Sequence, residues 1–286
     1  MGLSSAWKLL KEAVLSFIED EALSRGAAIA FFTVTSMAPL LLIVIAIAGL
    51  VFGRDAAQAA ISAQLSGLMG QQTAEVLETA VAKASDPSAS TLAVVIGVAT
   101  LLVTASGAFG EIQSALNKIW KSKPSGTTVS RLLRARAASL GLVATLGFLL
   151  VVSLAASAAI TAFGRQLDAV LPFGQFVMQA LNFVLSFVLI SVLFAAVYKI
   201  LPDRRLAWRD VIMGAGVTAF LFIVGKSLIG WYIGSSNVAS TYGAAGSLIV
   251  LLLWVYYIAQ ILLLGAELTK AYANRHGSKK AVSVGR

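Results

Sequence analysis

The chain has 286 residues, of which 58% are hydrophobic and 12% charged, and its net charge is +9. Soluble domains carry about twice that charged fraction, so apolar surface on this scale has to be hidden in lipid. No cysteine is present, which excludes a disulfide framework and any thiolate ligand or nucleophile, and the single histidine, His276, sits in a polar C-terminal segment.

Residues 4–22 come first. Trp7, Leu10, Val14 and Phe17 recur at helical spacing, with Lys8, Lys11, Glu12, Glu19 and Asp20 elsewhere on the wheel. This predicts an amphipathic helix, either lying in the membrane interface or packed on the end of a bundle. No cleavable signal peptide is evident, because the first apolar run starts only after Arg25 and is longer than a signal core. That run, 27–53, reads as the first span, with a kink expected at Pro39. Residues 55–84 are rich in Ala and Gln, carry Glu75 and Glu78, and are expected to form two short external helices that break at Gly67 and Gly70 and close at Asp86-Pro87-Ser88.

Further spans are expected over about 90–119, 137–163, 175–199, 210–233 and 243–270. A basic loop at 121–136, turns near Asp168 and Pro172, Leu201-Pro202-Asp203 and Gly234-Ser235-Ser236-Asn237 connect them, and a polar tail follows. The organisation is an all-α polytopic membrane bundle of about six spans. Residues 1–26 form an N-terminal segment, 27–270 the transmembrane domain with the external segment at 55–86, and 271–286 the tail.

Of the 22 Lys and Arg, 18 fall in segments 1–26, 118–136, 199–210 and 267–286, and only Arg54, Lys83 and Arg165 fall on the opposite side. The positive-inside rule then puts both ends in the cytoplasm and supports an even number of spans. Trp120, Trp208 and Trp231 sit at the expected interfaces. Because the basic residues are spread over the gaps between apolar segments, they do not form a nucleic-acid footprint.

Polar groups inside a membrane are costly unless paired or wetted, so they mark candidate sites. Thr100, Thr104, Glu111 and Lys118 share about one 60° sector of the second span. Glu111 is placed roughly 13 Å in from Trp120 by helical rise. Tyr256, Gln260, Glu267 and Lys270 share a face of the sixth span, and Gln175, Gln179, Asn182 and Ser186 one of the fourth. Ser153, Ser157 and Thr161 read as a small-residue packing ladder. Glu267 reads as an interface charge. Lys226 stands apart in the outer half of the fifth span, either snorkelling or facing a cavity. Glu111 is acidic, well inside a span and has no charged partner at i±4, so a hydrated cavity is one reading and a helix contact the other.

Several short motifs fall in order: Ala28-Ile29-Ala30-Phe31-Phe32 with Pro39, Leu116-Asn117-Lys118-Ile119-Trp120, Leu201-Pro202-Asp203, Trp208-Arg209-Asp210-Val211, Gly225-Lys226, Leu253-Trp254-Val255-Tyr256-Tyr257 and Gly265-Ala266-Glu267-Leu268-Thr269-Lys270. With them the chain resembles the YihY/virulence factor BrkB family of bacterial inner-membrane proteins over about 25–272. The resemblance implies six spans and little chemistry. Some members are linked to envelope lipid transport, and others carry the label ribonuclease BN. That label fails on chemistry here, since phosphodiester hydrolysis needs an acid/base pair or a carboxylate cluster holding metal. No cofactor or metal is expected, and the partners expected are membrane lipids and envelope proteins.

The leading expectation is a translocator of a lipid or other amphiphile. It rests on an inner polar half-path (Thr104, Glu111, Tyr256, Gln260) and an outer one (Gln179, Asn182, Lys226). A non-transporting scaffold for envelope partners is the alternative, and an enzyme the least favoured.

Overall fold

The computed structural model describes residues 3–69, 71, 74, 75, 78, 79, 107–122, 174–204, 206–235 and 244–275. Among them the elements are α1 (Leu3–Glu19), α2 (Ala22–Phe52), α3 (Arg54–Met69), α4 (helical over 107–119), α5 (Gly174–Ile200), α6 (Trp208–Ser235) and α7 (Ala244–Arg275), with no strand. By length and composition, Ala180–Ile200, Trp208–Ile229 and Leu248–Arg275 can each cross a membrane, and a shorter apolar stretch, Ala22–Met37, opens α2. The expected span over 90–106, the basic loop past Ser122, the third span with its Ser/Thr ladder, the turn at Asp168 and Pro172, most of 70–88 and the tail from His276 lie outside the described residues.

α7 is the central post, packing against α1, α2 and α6, while α5 packs against α6. Val211, Ala215, Ala219 and Phe222 line one face of α6, and Leu251, Trp254, Val255, Leu262 and Leu263 of α7 are buried with them. In lipid this core is held by van der Waals fit, because tails are as apolar as leucine and expelled water drives nothing. Small residues therefore matter most where α6 and α7 meet. A Cβ on Gly214 would strike Thr269, and one on Gly265 would strike Thr218 and the Tyr198 hydroxyl. The pairs are reciprocal: each helix offers a glycine and, four residues on, a threonine that fills the other's notch. Thr218 and Thr269 donate back to Gly214 O at 2.7 Å and Gly265 O at 2.6 Å, so neither hydroxyl is left unsatisfied. The Tyr198 hydroxyl donates to Leu262 O at 2.7 Å and ties α5 to the same joint.

Several expectations need correcting at the ends of elements. α1 packs on the bundle through Leu9, Ala13 and Phe17, while Trp7, Leu10, Val14 and Ile18 face outward. It is thus a bundle helix with a second, exposed apolar stripe. α2 begins at Ala22, so Arg25 lies inside the helix and not in a loop before it. α2 runs unbroken through Pro39. In the turn before it, the Thr35 hydroxyl contacts Phe31 O and Phe32 O, and Ser36 donates to Thr33 O. α3 does not break at Gly67. Gly53, at φ 85, reverses the chain, and Ile61 and Leu65 of α3 pack on Ile45 and Leu41 of α2. These pairs are equidistant from Gly53, so α3 runs back antiparallel along α2 for roughly 18 Å. α7 continues past residue 270 to Arg275, with Ala271 and Ala273 buried, so the tail starts later than expected. Trp120 is 2% exposed and belongs to the core, whereas Trp208 and Trp231 are exposed as an interfacial belt requires.

Candidate functional site

The end of the bundle where α1, the last turn of α4, the α5–α6 connection and the last turns of α7 meet gathers most of the described ion pairs. Its organiser is the two-residue break between α1 and α2. Glu21 sits at φ 56, a left-handed conformation that costs about 1–2 kcal/mol for a residue with a Cβ. Both carboxylates of the break are held by lysines from other helices. Asp20 takes Lys270 of α7 at 3.4 Å, and Glu21 takes Lys118 of α4 at 2.7 Å. The hydrogen bond and positive charge of Lys118 hold the Glu21 carboxyl below its ordinary range.

One turn on, Arg25 Nη1 reaches Glu111 Oε1 at 3.1 Å and Ser114 Oγ at 3.2 Å. Glu111, without a partner along its own helix, therefore has one 86 residues away. The same turn of α2 receives Gln260 of α7. Gly26 leaves the space in which the Gln260 amide lies, and Gln260 Nε2 is 3.5 Å from Leu23 O. Among the described residues, nothing hydrogen-bonds Arg25 Nε or Gln260 Oε1, although both atoms are buried. A buried donor or acceptor left open costs about 1–3 kcal/mol.

Two sequence motifs meet on the far side of α4. Asn117 donates to Asp203 Oδ2 at 2.8 Å and accepts from the Asp203 backbone N–H at 2.9 Å, while Arg204 donates to Trp120 O at 3.2 Å. Lys199 Nζ donates to Leu206 O and lies over the Trp208 ring. These bonds clamp Leu201-Pro202-Asp203 to the end of α4.

The candidate residues are distributed as follows. Glu111 and Gln260 both meet the first turns of α2. Tyr256 is half-buried beside the core. Glu267 is 1% exposed and receives Lys270 Nζ at 3.0 Å. Lys226 is half-buried in α6, and its neighbour Gly225 abuts the Tyr257 ring of α7. Among the described residues no hydrogen bond joins Lys226 to Asn182, which is exposed on α5. Thr104 and the Gln179 side chain lie outside the described residues. The residues missed from sequence are Arg25, counted among the charges before the first span, and Asp20, placed on the polar face of the N-terminal helix. Their signal was present only as a basic and an acidic residue flanking the start of an apolar run.

The family model for the virulence factor BrkB matches residues 13–283. The chain is 28% identical over 263 residues to the UPF0761 membrane protein MS0032 of Mannheimia succiniciproducens, covering 88% of this chain and 85% of that one. It is 32% identical to the UPF0761 membrane protein IL2447 of Idiomarina loihiensis, covering 73% and 70%, and 33% identical to the UPF0761 membrane protein YihY of Shigella boydii, covering 65% and 61%. The last match spans less than two thirds of the relative's length. No solved structure matches the chain.

Proposed function

The chain belongs to the virulence factor BrkB family of membrane proteins, and we propose that it translocates a lipid or similar amphiphile across the bacterial inner membrane, with both chain ends in the cytoplasm. The observation that carries this reading is that, among the described residues, nothing hydrogen-bonds the buried Arg25 Nε and Gln260 Oε1 beside the Arg25–Glu111 pair. A polar headgroup could supply an acceptor for Arg25 Nε and a donor for Gln260 Oε1, which no described residue provides. Acyl chains need only a greasy outer surface, which Phe183, Val184 and Val188 of α5 and Leu228 of α6 present. Lys226, in the other half of the bundle, serves as the second station for an anionic headgroup. The partners in this reading are membrane lipids, with no nucleic acid and no enzymatic step.

A scaffold that anchors envelope proteins is the competing reading. The pairing of Glu111 with Arg25 favours it, because a satisfied ion pair can be purely structural. A translocation assay separates the two. The purified protein is reconstituted in vesicles carrying a fluorescent phospholipid, and loss of signal to an impermeant quencher is followed. The wild type is expected to speed exposure of the inner-leaflet label. Lys226→Met is expected to slow it about tenfold or more, the loss of one charge-assisted contact, at unchanged incorporation and Tm, and Glu111→Gln to slow it likewise at unchanged incorporation but with a lowered Tm, because it leaves Arg25 without its carboxylate. No acceleration by the wild type, or full activity of both variants, overturns the translocator.

A further inference from the structure

Near the end of α7 two carboxylates share one ammonium. Lys270 Nζ lies 3.0 Å from Glu267 Oε2 and 3.4 Å from Asp20 Oδ2. The side chains are nearly closed off, with relative exposures of 11% for Lys270, 1% for Glu267 and 14% for Asp20. Glu267 Oε1 is buried, and no described residue hydrogen-bonds it. Several charged neighbours on the packed elements are engaged elsewhere. On α1, Glu12 holds Arg275 of α7 at 2.8 Å. On α2, Arg25 holds Glu111 of α4, and at the α1–α2 break Glu21 holds Lys118 of α4. The nearest acid on α6, Asp210, is itself buried and bonded. Among the described residues, no further cation pairs with the second carboxylate of the trio.

With both carboxyls ionised the trio carries one net negative charge, in a place where uncompensated charge is expensive. One cation neutralises it. A metal ion wants several oxygen ligands at fixed distances, whereas one oxygen of each carboxylate, Glu267 Oε2 and Asp20 Oδ2, is already taken by the Lys270 ammonium. A proton needs one oxygen. We propose that Asp20, Lys270 and Glu267 form a binding site for a single proton, held on Glu267 and exchanged with water past Asp20, and that this proton drives translocation.

No covalent bond other than O–H forms or breaks. The proton comes from the water at the Asp20 edge, and the trio passes from one negative charge to none. Neutralising Glu267 removes its attraction for Lys270 and leaves that ammonium to Asp20 alone. Asp20 belongs to the break that orients α2, and Arg25 one turn on holds Glu111. Loading is thus mechanically connected to the polar track. The driving role rests on the translocator reading, but the proton site does not.

The test uses full-length protein in two arms. Infrared difference spectra between alkaline and acid pH are recorded in detergent. A protonated carboxyl in a dry site absorbs apart from solvated ones. That band is expected in the wild type, lost in Glu267→Gln, shifted in Lys270→Met and unchanged in Glu12→Gln. If Glu267→Gln does not fold, Asp20→Asn, at the wetter edge, must shift the band. A band that survives Glu267→Gln, or that stays fixed in Asp20→Asn, overturns the site, as does a carboxylate signal governed by sodium and not by pH. In the second arm a proton gradient is imposed on the vesicles. Translocation that responds to the gradient in the wild type and loses that response in Glu267→Gln supports the driving role, and gradient-independent wild-type translocation overturns it. If the wild type translocates nothing while the band behaves as stated, the translocator reading and the driving role fail and the proton site stands.

Discussion

At the scale of single residues, the decisive feature is that Glu12, Glu21 and Glu111 each meet a base from another helix, while Asp20 and Glu267 share one. Glu21 is the exposed case. Its folded-state pKa is lowered, chiefly by the Lys118 hydrogen bond. A lowered carboxyl contributes stability at pH above its ordinary value of 4.5 and loses that contribution as pH falls through the folded value. Because Glu21 is open to solvent, the effect is small and screened by salt. Thermal unfolding in detergent should show a Tm that falls less on acidification in Glu21→Gln than in the wild type, with the difference shrinking in high salt. An identical acid limb in both would mean that the Lys118 pair contributes nothing. Arg25 is the buried case. Arg25→Lys keeps the charge but replaces the rigid guanidinium, whose Nη1 meets both Glu111 and Ser114, with a shorter, more flexible ammonium. Arg25→Met strands Glu111 half-buried without its base, which should cost about 3 kcal/mol or more where the pair is desolvated. The order of Tm expected is therefore wild type, then Arg25→Lys, then Arg25→Met.

At the scale of elements, the α6–α7 joint is where packing tolerates least. Gly265→Ala would place a methyl against Thr218 and the Tyr198 hydroxyl, both held by their own hydrogen bonds. Neither can swing aside without giving up a bond, so the substitution should destabilise by about 1–3 kcal/mol. Gly216→Ala is the internal control, since nothing stands within 4 Å of a Cβ there. That change should be neutral or stabilise by up to about 1 kcal/mol through helix propensity alone. Both are measured by unfolding in the same detergent, and equal shifts in the two would remove the notch from the account. The element scale also explains why α3 follows α2 so closely. The segment 54–69 is too polar to span on its own, yet Ile61 and Leu65, four residues apart, match Leu41 and Ile45 once Gly53 turns the chain back.

At the scale of the whole molecule, the contacts of Glu12 with Arg275 and of Asp20 with Lys270 put the N-terminal helix and the end of α7 at one end of the bundle. The positive-inside bias proposes that this end is cytoplasmic. Reporter fusions after residues 128, 205 and 280 should then read cytoplasmic, and fusions after 70, 168 and 237 external. An external signal at 128 or 205 would overturn the six-span topology. Composition and hydropathy determined the membrane class, the helical fold and the approximate limits of α2, α5, α6 and α7, because lipid demands long runs of apolar residues that close their own backbone hydrogen bonds, and such runs are visible in one dimension. Order of motifs determined the family. The partners of the polar residues were decided only by tertiary structure. Helical period shows which side chains share a face of one helix, but it carries no record of which face of another helix lies opposite. Glu111 could be read as buried but not as Arg25's partner, and Lys270 as a basic residue near a helix end but not as the shared base of Asp20 and Glu267. Those pairings depend on the packing angle and register of α2, α4 and α7 around one another, which are set by notches such as Gly26, Gly214 and Gly265 whose depth exists only once the helices are in contact.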